Sequence, residues 1–130
     1  MAPLLLLLVA AAKEGLLVYR TADDGSAVRI GLLENIGKQQ AQAIGTAGGN
    51  VIVGYGASGM ALVDLSRPES PRARSRIALP RSYPVQRVAV DGNLAYVACD
   101  TAGLAIVDLT APDAPEVLLP RDRRMRISFP

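Results

Sequence analysis

The segment "GMALVDLSRPESP", Gly59 to Pro71, returns as "GLAIVDLTAPDAP", Gly103 to Pro115, with no gap between the copies. The pairs Gly59/Gly103, Asp64/Asp108, Pro68/Pro112 and Pro71/Pro115 are each 44 residues apart. Repetition at such a period marks supersecondary units that cover one another's apolar faces, so it restricts the fold more than any composition does. Another step of 44 back from Gly59 reaches Gly15, where "GLLVYR" keeps the pattern of a glycine followed by apolar residues. Upstream of the glycine, "GGNVIVGYGAS" aligns with "DGNLAYVACDTA" if one residue is inserted in the second copy, Asn50 and Asn93 being 43 apart. Downstream, "RIGLL" (29–33), "RIALP" (76–80) and "RISFP" (126–130) read as equivalent ends, reached 14, 17 and 23 residues after the glycine. The chain is then one repeat domain of approximate units 1–33, 42–80 and 85–130.

In the best-preserved unit the register predicts strands at Val85–Val90, Leu94–Cys99, Gly103–Leu109 and Arg124–Phe129. "DGN" (91–93) is a hairpin signal, and the prolines of "TAPDAP" (110–115) end the third strand because they cannot donate ladder bonds. The third strand is apolar at nearly every position, so both of its faces must be covered, whereas an open sheet with one wet face would alternate. The expected fold is all-β: three four-stranded antiparallel propeller-type blades, the first incomplete, forming a partial β-propeller of eleven strands. A β-sandwich is the alternative, and it needs no period. Three blades leave two wide apolar end faces, so the chain is read either as part of a longer propeller or as a subunit that assembles, a C2 pair giving six blades. The fragment is favoured, because the third unit stops at Pro130 with neither a closing strand nor a polar cap.

The opening "MAPLLLLLVAAAKEG" resembles a secretory signal, yet it has no Lys or Arg before Lys13 and is too short to span a bilayer. Leu6–Ala10 falls in phase with Leu94–Ala98, so the repeat predicts a strand there.

Half of the residues are apolar, with four Tyr, one Phe and no Trp, which leaves a core of Val, Leu, Ile and Ala. The net charge is +2, and the arginines cluster in "RARSR" (72–76) and "RDRRMR" (121–126). Alternation in the first cluster puts Arg72, Arg74 and Arg76 on one strand face and Ala73 and Ser75 on the other. Without interleaved aromatics to stack on bases, this reads as a solvated outer strand, and no nucleic-acid partner is expected. The absence of His removes His-dependent catalysis and His-ligated metal, and the single Cys99 removes any intrachain disulfide and reads as a small buried thiol. Asp64 and Asp108 end a strand before a Ser/Thr-containing turn and are read as turn acceptors. "DTAG" (100–103), "GTAGGN" (45–50) and "GYGASG" (54–59) lack the second loop of an aspartic protease or the Lys-Ser/Thr of a phosphate loop, and read as turns. No catalytic residue, metal or cofactor is expected.

The chain resembles the LVIVD repeat family on Gly92, Asn93, Ala95, Tyr96, Val97, Ala98, Gly103, Leu104, Ile106, Val107, Asp108, Pro112 and Pro115. The second copy keeps Gly49, Asn50, Gly59, Leu62, Val63, Asp64, Pro68 and Pro71, with "VIVGYG" in place of "AYVAD". The first copy departs furthest, with Tyr19 and Arg20 at the Val-Asp positions and "TADDGS" in place of the proline turn. The resemblance implies β-propellers of bacterial and archaeal surface or secreted proteins, generally without assigned activity, and so an extracytoplasmic setting. The expected function is a non-enzymatic binding or scaffold module. The alternative is a fragment or subunit of a hydrolase-like propeller enzyme whose active-site residues lie outside this chain. Partners are expected to be protein or further propeller blades, and the candidate ligand-face loops carry Tyr55, Arg81, Tyr83 and Asp100.

Overall fold

Short apolar runs separated by glycine and proline turns favour hairpins, and the computed structural model, which describes residues 6–47, 49–100 and 103–119, consists of them. Its described strands are β1 (Leu6–Ala10), β2 (Leu16–Thr21), β3 (Ala27–Leu33), β4 (Ala43–Ala47), β5 (Asn50–Gly54), β6 (Met60–Asp64), β7 (Arg72–Ile77), β8 (Arg87–Asp91), β9 (Leu94–Ala98), β10 (Leu104–Asp108) and β11 (Glu116–Leu119). They form three antiparallel sheets in chain order, β1-β2-β3, β4-β5-β6-β7 and β8-β9-β10-β11. A short 3-10 turn, Pro80–Ser82, lies in the link between the second sheet and the third. The fold is therefore all-β, of the partial-propeller type with a three-stranded first blade, and Leu6–Ala10 is a strand.

The register repeats without any insertion. Leu8 pairs with Val18, Ile52 with Leu62 and Tyr96 with Ile106, each pair 44 residues beyond the last. On the outer strand Val18 pairs with Gly31, Leu62 with Ser75 and Ile106 with Leu119, again in steps of 44. A bulge follows at the same place in every sheet, between Val18 and Tyr19, Leu62 and Val63, and Ile106 and Val107.

Three expectations change as a result. The fourth strand of the third sheet is Glu116–Leu119, whereas Arg124–Phe129 lies outside the described residues. The "RI" strings that suggested loops of unequal length are not equivalent positions: an outer strand repeats only where it meets its neighbours, so short string matches there carry little register information. The residue 44 beyond Asn50 is Leu94, so the supposed insertion disappears. Asn50 and Asn93 are neighbours across two sheets rather than counterparts, the Asn50 Nδ2 donating to the Gly92 carbonyl at 2.8 Å and to Asn93 Oδ1 at 3.3 Å.

The repeated glycine has two causes. Gly15, Gly59 and Gly103 have φ of 90°, 86° and 90°, where L side chains are strained. A β-carbon at Gly15 or Gly59 would also lie 2.3 Å from the carbonyl oxygen of Leu33 or Ile77. Each glycine closes the turn before the next-to-outermost strand of its sheet, β1 to β2, β5 to β6 or β9 to β10, by accepting from Ala11, Tyr55 or Cys99 N–H at 2.8 Å.

Every sheet has one face toward the sheet before it in the chain, here called trailing, and one toward the sheet after it, called leading. On β6, Ala61 and Val63 join a core with Leu16 and Leu8 of the first sheet, while Met60 and Leu62 join another with Ala95, Val97, Ala105 and Val107 of the third. This double burial explains the unbroken apolar run. Close approach is permitted at Gly45 on β4, where a β-carbon would lie 2.9 Å from Val88 Cγ1. At the outer rim Gly31 sits against the Pro68 carbonyl, and its counterpart Ser75 donates its hydroxyl to the Pro112 carbonyl at 2.9 Å. Ion pairs cross the same rims, Arg20 to Glu69 at 3.8 Å and Arg74 to Asp113 at 2.9 Å. Exposed pairs contribute about 1 kcal/mol at most, whereas each buried Val, Leu or Ile contributes about 1.5–3 kcal/mol, so apolar burial dominates the stacking.

The bulge also corrects the reading of "RARSR". Ala73 packs toward the first sheet, Ser75 bonds to the third, and Ile77 enters the core shared with the third. The skipped residue at the bulge switches side-chain direction, so Ala73 and Ser75 do not share a face. The arginines remain exposed, but Arg72 pairs with Asp64 of its own sheet and Arg74 with Asp113 of the next.

Candidate functional site

At one end of the stack the turns joining second to third strands meet the links between sheets, through bridges Ala12–Ala41 and Gly56–Val85. Tyr55 and Asp100 belong to such turns, and Arg81 and Tyr83 belong to a link, so all four expected residues reach this end. They differ in exposure. Arg81 and Asp100 are exposed, both in the left-handed region at φ 57°, and no ion pair joins them. Tyr83 is half-buried against the core between the second and third sheets. Tyr55 is fully buried in the core between the first and second, so its ring is not presented on a loop. The reason is its repeat position, which Cys99 shares 44 residues on, buried in turn. Burial raises the Tyr55 phenol and the Cys99 thiol above their ordinary values, which keeps both protonated and the thiol unreactive.

The Tyr55 hydroxyl is buried with no hydrogen-bond partner. Tyr55→Phe is therefore expected to leave the unfolding free energy unchanged or raise it by about 1 kcal/mol in urea denaturation. A loss above about 1 kcal/mol would mean that an interior water holds the hydroxyl.

At the opposite end the turns between third and fourth strands are built on carboxylates. Asp64 Oδ1 accepts from Ser66 N–H at 2.8 Å, and Asp108 Oδ1 accepts from Thr110 N–H at 2.8 Å and its hydroxyl at 2.6 Å. The acids are thus turn acceptors, as their positions before Ser and Thr imply. The Ser66 backbone bond holds Asp64 below its ordinary 3.8, and the Thr110 hydroxyl does the same for Asp108. Both groups therefore stabilise the folded chain above pH 3.8, and that contribution is lost as the pH falls through their lower folded values. In an NMR titration the Ser66 and Thr110 amide resonances should move with midpoints below 3.8; midpoints at or above it would contradict the bonding. Open hollows lie here, among them one of about 620 Å³ bordered by Asp64, Arg72, Arg74 and Asp113 and another of about 550 Å³ along Asn50, Asp64 and Pro112. The carboxylates lining them already hold N–H groups or arginines. Among the described residues no three Cys, Asp or Glu side chains gather to hold a metal ion, and no helix is long and apolar enough to cross a membrane.

The surface that no loop argument names is the pair of end faces. On the leading side, Leu16 is 0% and Met60 1% exposed, while Leu104, at the same repeat position, is 41% exposed. Ile52 is fully buried and its counterpart Tyr96 is 36% exposed. On the trailing side Ala95 and Val51 are buried and their counterpart Leu7 is 47% exposed; Leu32 on β3 is 43% exposed, while Leu17, its partner on β2, is 6% exposed. At these positions the exposed residues lie where no described sheet covers them, although Leu17, at the trailing position of Ala61 and Ala105, is itself buried. The signal for these residues was present in the repeat, as the positions one step beyond a buried pair.

Residues 84–119, which take in the whole third sheet, match the LVIVD repeat model. No curated protein and no solved structure matches the chain.

Proposed function

We propose that this propeller-type module, which carries an LVIVD repeat at residues 84–119, works without catalysis, as a binding or scaffold module whose end faces take up protein surface. The observation that carries this reading is the leading face of the third sheet, where Tyr96 and Leu104 stand open at positions that the second sheet buries. Open apolar faces of a sheet are costly in water and mark interaction surfaces. The family resemblance would set such a module outside the cytoplasm.

The test is the double variant Tyr96→Lys, Leu104→Lys in the intact chain. A face that serves association rather than the fold should tolerate it, so at high dilution the circular dichroism should match that of the parent and the unfolding free energy should change by about 1 kcal/mol or less. Binding of an apolar fluorescent dye should fall. Unfolding of the variant, or undiminished dye binding, would defeat the reading.

A further inference from the structure

Independently of the end faces, the geometry points to an anion site at the end of the stack that carries the Asp64 turn. The turn between β6 and β7, with the start of β7, forms a seat for a tetrahedral oxyanion, phosphate or a phosphate monoester, held by Arg67 and Arg72 with the hydroxyls of Ser66 and Ser70.

What this turn needs in order to fold is shown by its copy in the third sheet. The two share Asp64/Asp108, Pro68/Pro112 and Pro71/Pro115, and in both the carboxylate accepts from the N–H two residues on at 2.8 Å. The next bend also closes alike, Ser70 N–H donating to the Arg67 carbonyl and Ala114 N–H to the Ala111 carbonyl, each at 2.9 Å. Arg67, Ser70 and Arg72 therefore stand where the third sheet makes the same turn with Ala111, Ala114 and Glu116. Neither bend requires the side chains of Arg67 and Ser70. An outer strand is kept soluble by charge of either sign, as Glu116 shows, so Arg72 is not demanded there either.

These side chains gather about one hollow. Arg67, Arg72, Ser66, Ser70 and Asp64 line a space of about 410 Å³, and Asp64, Ser66 and Arg72 also border the hollow of Arg74 and Asp113. Arg72 Nε donates to Asp64 Oδ2 at 3.3 Å, which orients the guanidinium and leaves the other N–H groups of its planar fork for a second acceptor. Asp64 is engaged on both oxygens, by Ser66 N–H and by Arg72. Among the described residues no carboxylate pairs with Arg67, since its neighbour Glu69 pairs with Arg20. The lining thus sets two positive charges against one negative, and the Arg74–Asp113 pair beside it is neutral in sum. A phosphate monoester brings three acceptor oxygens and a charge close to two, enough to reach both guanidinium groups and a hydroxyl at once.

NMR titration of the full chain at low, constant ionic strength tests this, with inorganic phosphate in one arm and phenyl phosphate in the other. The side-chain Nε–H resonances of Arg67 and Arg72 and the amides of Ser66 and Ser70 should shift together and saturate, with a dissociation constant on the order of 1 mM. Saturation by both probes gives the seat to a monoester, and saturation by inorganic phosphate alone gives it to the free ion. Arg67→Gln and Arg72→Gln should each keep the parent circular dichroism and weaken binding by about tenfold. Arg67 pairs with no carboxylate, so its variant removes the anion contact without disturbing the Asp64 turn. Equal shifts with chloride at the same ionic strength, shifts confined to residues 121–126, or either variant binding as the parent does would each overturn the proposal. Such a failure leaves the end faces and their test untouched.

Discussion

Leu16→Ala and Met60→Ala should each lower the unfolding free energy by about 2–5 kcal/mol, and Leu104→Ala by less than about 1 kcal/mol, when urea melts are run at high dilution. The three residues occupy one repeat position, 44 residues apart on the leading faces of successive sheets. Their strands and turns correspond, and they pair alike with the preceding strand, at Ala10, Gly54 and Ala98, while Leu16 and Met60 also pair outward with Leu33 and Ile77. What differs is the neighbour: Leu16 and Met60 lie in cores closed by the next sheet, whereas Leu104 faces outward. Truncation of a buried side chain removes its transfer free energy and leaves a cavity, while truncation of an exposed one removes little. A small domain has about 5–15 kcal/mol in total, so either buried change takes a large share of it. Equal losses for all three at high dilution would mean that the sheets do not lie against one another.

Gly59→Ala should cost about 2–5 kcal/mol, Gly15→Ala the same, and Gly92→Ala only about 1–2 kcal/mol. All three glycines have positive φ, 86°, 90° and 58°, which costs an L residue roughly 1–3 kcal/mol. Gly59 and Gly15 add a collision, since the new β-carbon would lie 2.3 Å from a backbone carbonyl oxygen of the outermost strand, which cannot retreat without opening the sheet. Relief of such overpacking costs a further 1–3 kcal/mol or so. Gly92, in the Asp91–Leu94 hairpin, has nothing within 4 Å of that position, so only the dihedral cost remains. Thermal melts of the three variants, compared as differences, separate the two causes. A Gly59→Ala variant no weaker than Gly92→Ala would show that the fourth strand does not pass where it is placed.

These two predictions use positions that the amino-acid sequence makes visible. Gly59 and Gly103 were legible because a turn with positive φ tolerates little else, and β6 because only burial on both faces explains "MALVD". The outer strands were not legible. β11, Glu116–Leu119, has one edge in water and mixes charge with apolar residues, so its string differs from that of β7 even though the two pair in the same register. The bulge in β7 was hidden for a related reason: "RARSR" alternates in sequence, but the skipped residue reverses the sides, and nothing in five residues records that. Tyr55 does lie in the turn after β5, but its ring is buried rather than presented, as its repeat position implies, being that of Cys99, for which burial was expected. Of the site, the Asp64 and Asp108 turns could be read from a carboxylate two residues before a hydroxyl. The end faces could be foreseen as areas, and only the sheet order and register turned them into Tyr96, Leu104, Leu7 and Leu32.

The stacking of sheet on sheet rests most heavily on the inner strands, where β4 and β8 approach at Gly45. Nuclear Overhauser measurement on the chain with labelled valine methyls tests it directly. Strong contacts are expected from the Gly45 α-protons to the methyls of Val88 and Val90, both of which reach to within about 3 Å of the place a β-carbon would occupy. Gly45 α-protons that see only the neighbouring strand β5, with the Val88 and Val90 methyls in contact elsewhere, would contradict the face-to-face arrangement.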